Sequence, residues 1–188
     1  MNHRRLGILG IACAMALHGL AFADDKIAEE RAEVREASAK ALAAVYEAQP
    51  SARKAVEGAA GYAAFANFGM KILVAGSGTG EGIAVNNRSK TETFMKMVEL
   101  QAGLGFGVKK FWLLWVFETE KSLDDFVNSG WEIGAQATAA ARSKEKGAAF
   151  QGAVAVAPGV WLYQLTEKGL AVELTAKGTK YFKDKDLN

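Results

Sequence analysis

Two stretches of the chain set glycine at every second position: Gly76, Gly78, Gly80 and Gly82, and then Gly103, Gly105 and Gly107. Side chains on a β-strand alternate between faces, so each stretch, folded as a strand, has one face stripped of side chains. Glycine inside a strand costs stability and marks a bulge or a close approach by another group. The rows therefore predict either a surface against which a helix or neighbouring strand packs closely, or a shallow apolar groove that admits an acyl chain.

The N-terminus constrains the chemistry as strongly. Arg4 and Arg5 precede an apolar run from Leu6 to Phe22, and Ala21-Phe22-Ala23 stands before Asp24-Asp25. This is the pattern of a secretory signal, with cleavage expected after Ala23 and a periplasmic or secreted destination. His3, His18 and Cys13 all fall within it. Residues 24–188 then contain neither histidine nor cysteine, which excludes a Cys/His metal site, a Ser-His-Asp triad, a thiol nucleophile and a disulfide. The 188 residues less the first 23 leave 165, a length that suits one domain. Without Arg4 and Arg5, 21 Lys and Arg balance 21 Asp and Glu, so nucleic acid is not expected as a partner.

From Asp24 to Gln49, Ile27, Val34, Ala41, Leu42 and Val45 recur at helical spacing, predicting one long amphipathic helix stopped by Pro50. Its early acids, Glu29, Glu30, Glu33 and Glu36, suit a cover for the sheet better than an anchor in an anionic membrane. Ser51 is expected to cap a second, short helix ended by Gly58 and Gly61. Strands are expected at 62–68, 72–85, 91–98, 100–108 and 111–117, the last apolar on both faces and so covered on both. Ser122-Leu123-Asp124-Asp125 matches a capping box and predicts a helix from Ser122 to Asn128, ended by Gly130. Four further strands at 133–141, 149–157, 160–166 and 170–175 follow, joined by hairpin-length turns. The fold class is α+β: a long N-terminal amphipathic helix on a mainly antiparallel, glycine-rich sheet or barrel-like sheet.

Asn67-Phe68, the row Gly76 to Gly82, Leu100-Gln101-Ala102-Gly103, Leu123-Asp124-Asp125-Phe126, Gly130-Trp131-Glu132-Ile133-Gly134 and Lys168-Gly169-Leu170 through Gly178-Thr179-Lys180 occur in this order. In these motifs the chain resembles the SYLF domain family from about Val56 to Lys180. That family includes eukaryotic modules that bind phosphoinositide membranes, fungal modules that bind actin filaments, and exported bacterial lipid-binding proteins. The resemblance implies an exported, non-enzymatic lipid-binding protein. Two positions depart from the family pattern: Met70 stands where a lysine is usual, with Lys71 displaced by one, and Gln136 stands where an aspartate is usual.

Other candidate sites weigh less. Gly76 to Gly82 lacks the Gly-Lys-Ser/Thr ending of a phosphate-binding loop, and β-prone Ile83-Ala84-Val85 follows where a helix should start. Glu81 is a lone acid. Ser51 and Lys54 match a Ser-x-x-Lys pattern without its companion motifs, and a hydrolase built on Glu118, Glu120, Asp124 and Asp125 needs two acids facing each other. No cofactor or metal is expected. Lys109-Lys110 beside Phe111-Trp112, and Lys177, Lys180, Lys183 and Lys185 around Tyr181-Phe182, join charge to aromatic rings as a membrane interface does. The expected lipid contacts are Lys71, Gly76, Gly78, Gly80, Gly82, Gly103, Gly105, Gly107, Lys109, Lys110, Trp112, Lys177 and Lys180. The expected partner is a lipid or membrane surface. The alternative is a structural or protein-interaction module of the cell envelope, with an envelope protein as partner and the glycines used for packing alone.

Overall fold

A computed structural model describes residues 9–72, 75–102, 107–133, 150–166, 169–171 and 179–188. Helix α1 (Leu9–Ala48) ends where Pro50 requires, and α2 (Ser51–Gly58) follows. Four long strands come next: β1 (Gly61–Ile72), β2 (Ala75–Asn86), β3 (Glu92–Ala102) and β4 (Gly107–Phe117). A short helix α3 (Glu120–Asp124) runs into a single π-helical turn, Asp125–Ser129. Strands β5 (Trp131–Ile133), β6 (Val154–Ala157), β7 (Val160–Thr166), β8 (Gly169–Ala171) and β9 (Thr179–Lys183) complete the described elements.

All strand pairs are antiparallel, in the order β5-β9-β3-β2-β1-β4-β7-β6, with β8 also on β7. The sheet curls as a half-barrel against the long helix, so the expected α+β architecture is the observed one. Each face has its own core. On one face α1 rests on β1, β2, β4 and β7. Its stripe of Val34, Ser38, Ala41 and Val45 is buried, and Ala41 and Val45 pack with Ala64, Leu114, Val116, Tyr163 and Leu165 of the sheet. The opposite, concave face gathers Phe65, Trp115, Phe117 and Tyr181 around Phe126, which the π turn inserts among them. Phe126 stands 4.9 Å from Phe117, 5.3 Å from Trp115 and 5.4 Å from Tyr181, ring centre to ring centre. From Phe111 to Phe117 β4 is thus covered on both sides, as its continuous apolar run predicts.

Several local expectations are corrected. Pro50, not a serine, occupies the cap of α2 and no side chain caps it; Ser51 is the first helical residue, and its hydroxyl accepts from Gln49 Nε2 at 2.7 Å. Ala59 closes the helix, and Asn87 Nδ2 donates to the carbonyls of Val56 and Ala59 from the β2–β3 turn. Thr119, three residues ahead of Ser122, caps α3 by accepting from the Ser122 N–H at 3.2 Å. The helix ends at Asp124, and the π turn carries the chain to Gly130, whose φ of 72° is the conformation glycine permits. Residues 100–108 are not one strand: Leu100 to Ala102 end β3, and Gly107 and Val108 begin β4, with β2 and β1 lying between the two. Of the strand expected at 133–141 only Ile133 is described, as the last residue of β5, which begins two residues earlier at Trp131; residues 134–149 lie outside the described set. β9 was not expected from the sequence; Thr179 and Tyr181 are buried within it although lysines surround them.

Candidate functional site

The register shows what the glycine rows do. Reading β4, β1, β2, β3 across the sheet, one row of paired positions is Leu113, Phe65, Gly82, Met95, and the next is Phe111, Asn67, Gly80, Met97. These positions share the concave face, because Phe65, Met95, Met97, Phe111 and Leu113 belong to the aromatic core there. The long helix covers the other face, so it is not what the glycines accommodate. Side chains of neighbouring strands fill their places. A Cβ on Gly82 would fall 2.5 Å from Phe65 Cδ1 and against the Ala64 carbonyl oxygen, and one on Gly80 would fall 2.8 Å from Met97 Cγ and 2.9 Å from the Ala66 carbonyl oxygen.

Further along the same face the rows change character. The next two read Lys109, Gly69, Gly78, Glu99 and then Gly107, Lys71, Gly76, Gln101. Four glycine positions lie together there with two lysine positions between them, and the apolar pattern of the other end is gone. Lys71 and Lys109 take diagonal positions on adjacent strands, a separation of about 7–8 Å. The end of β1, the starts of β2 and β4 and the end of β3 meet at this edge.

The remaining expected contacts divide. Lys110, adjacent to Lys109, takes a position on the helix-covered face. Trp112 is half-buried on that same face, against the core beneath α1. Lys180 is exposed and pairs with Val98 and Glu132, on the far side of β3 from the glycines. Lys180 and Lys183 are three apart on β9 and fall on opposite faces, so the C-terminal lysines do not form one cluster. Gly103, Gly105 and Lys177 lie outside the described residues. A membrane-facing surface joining the glycines, Trp112 and all the lysines is therefore not formed, while Lys71, Lys109, Gly76, Gly78 and Gly107 are brought together. Sequence reasoning omitted Gly69, Glu99 and Gln101, which only the pairing of three strands places beside them.

Elsewhere some charges are matched locally. Lys96 Nζ sits 2.9 Å from buried Asp184, whose hydrogen bond raises the lysine pKa above its ordinary 10.5. Glu81 is exposed. Burial pushes the hydroxyls of Tyr46 and Tyr163 up to about 12.

No family model matches the chain. It is similar to Beta cell expansion factor A of Aeromonas veronii, with 32% identity over 161 residues that cover 85% of this chain. The match spans 59% of that relative's length.

Proposed function

We propose that the protein is an exported, non-enzymatic lipid-binding protein of the SYLF type, which meets an anionic head group at the lysine- and glycine-bearing end of its concave face. The supporting observation is the pair of rows Lys109, Gly69, Gly78, Glu99 and Gly107, Lys71, Gly76, Gln101 on neighbouring strands. Glycine there brings no side chain of its own, and two cationic positions stand among the glycines. The N-terminal secretory pattern supports export, and the relative's name describes an effect on cells rather than a reaction.

A second reading, a structural or protein-interaction module of the envelope, has its own support in Gly80 and Gly82, whose space Met97 and Phe65 take up. Co-sedimentation with phosphatidylglycerol and phosphatidylcholine vesicles separates the two. The proposal expects binding to the anionic vesicles, weakened in the Lys71→Ala/Lys109→Ala double variant by roughly thirtyfold at about 1 kcal/mol per lysine. Absence of binding to both kinds of vesicle would overturn it and favour the packing role.

A further inference from the structure

The opposite end of the concave face holds a cleft of about 280 Å³ between the β2–β3 turn, β9 and the α3–π segment. Ala84, Leu123 and Val127 make up the aliphatic part of its lining. Asn86, Asn128 and the hydroxyls of Ser89, Thr91 and Thr93 make up a polar part, with Ser89 and Thr91 bonded to each other at 2.9 Å. Asp124 and Lys183 bring opposite charges to the same cleft.

Those two charges are unusual in their surroundings. Asp125, next to Asp124, is neutralised by Lys121 at 2.6 Å, and Glu120 by Arg88 at 3.2 Å. Asp184 and Asp186, beside Lys183 in the chain, are both held by Lys96. Among the described residues, Asp124 and Lys183 alone of this group face a shared cleft with no ion pair of their own. The backbone around them departs from regular geometry on both sides: the π turn presents Val127, and Lys90, in the β2–β3 turn, holds a φ of 61°. A single π turn inside helical structure is frequently found at functional sites, and backbone strain gathers where a ligand is held.

From this arrangement we infer that the cleft binds a small zwitterion of the free amino-acid class, its carboxylate toward Lys183, its ammonium toward Asp124 and its apolar side chain on the aliphatic lining of Ala84, Leu123 and Val127. The volume lies just under the range of pockets that take drug-sized ligands, which suits a single amino acid. A neutral sugar would hydrogen-bond both groups but bring no opposite charge to either, and no residue lining the cleft is aromatic. The inference is independent of lipid binding, since the lysine- and glycine-bearing rows lie at the other end of the face.

Calorimetric titration of the full chain with L-leucine, N-acetyl-leucine, leucinamide and glucose tests it. L-leucine should bind, and each blocked form, lacking one charge, should bind roughly ten- to a hundredfold more weakly. Asp124→Asn should abolish the preference for leucine over N-acetyl-leucine, and Lys183→Met the preference for leucine over leucinamide. Both residues are exposed, so melting of the variants should match the parent. No heat from leucine, equal binding of the blocked forms, or binding of glucose alone would each overturn the inference. Vesicle co-sedimentation of the same variants should be unchanged, so failure here and failure of the lipid reading are separately visible.

Discussion

At Gly82 a methyl group has no room. The position lies under the Phe65 ring and against the Ala64 carbonyl oxygen, and backbone cannot step aside as a side-chain tip can. Gly82→Ala is expected to lower stability by about 1–3 kcal/mol, the range for overpacking a well-filled core. Gly58→Ala is the control, because a Cβ there meets nothing within 4 Å and alanine favours the helix; its melting temperature should hold or rise. A melting loss as small in Gly82→Ala as in Gly58→Ala would refute this account of the row. The alternation of glycines was legible as a shared face. Which atoms fill the space was not, because Phe65 and Met97 reach it through strand pairing rather than through proximity in the chain.

Among the elements, α3 and the π turn decide how the concave core is closed. Thr119 starts α3 by accepting the Ser122 N–H, and Leu123 and Phe126, two and five residues into the helical segment beyond Lys121, then reach the aromatic core. Thr119→Ala should cost about 0.5–2 kcal/mol, with Thr119→Ser restoring most of it, as chemical denaturation would measure. If the alanine variant unfolds at the parent's denaturant concentration, the cap does not hold this segment. The capping-box pattern at Ser122 lies three residues beyond the residue that caps, Thr119, because Thr and Ser both suit the role and only the backbone conformation chooses. Strand β9 carries no such local signal. Its lysines read as a solvated tail, and burial of Thr179 and Tyr181 depends on β3 and β5 lying on either side.

For the molecule as a whole, alkaline pH attacks both the helix side of the sheet and its C-terminal edge. Tyr46 on α1 and Tyr163 on β7 have hydroxyls raised to about 12, chiefly by burial, and Tyr62 is raised by burial and by Glu92. Lys96 is also raised, chiefly by its hydrogen bond to Asp184. Each group binds its proton more tightly folded than unfolded, so the stabilisation is complete below the unfolded pKa and is lost as pH climbs through the folded one. Stability should therefore stay level up to about pH 10 and fall between roughly pH 10 and 12, with phenolate absorbance and loss of helical circular dichroism rising together. Tyrosines that titrate near pH 10 with the helix intact would contradict the packing of α1 on the sheet.

The sequence by itself determined the class of fold. Helical spacing before Pro50, alternation and apolar runs after Gly61, and turn residues at Pro158-Gly159 act within a few residues of where they stand, so they can be read without knowing the rest of the chain. It also placed Gly76, Gly78, Gly80 and Gly82 on one face of a strand. The tertiary structure decided which face that was, that side chains rather than α1 fill the space at Gly80 and Gly82, and that Lys71 and Lys109 take diagonal positions on adjacent strands while Lys110, Trp112 and Lys180 part from them. Local pattern fixes which way a residue's position alternates; only the pairing of strands distant in sequence fixes what lies beside it.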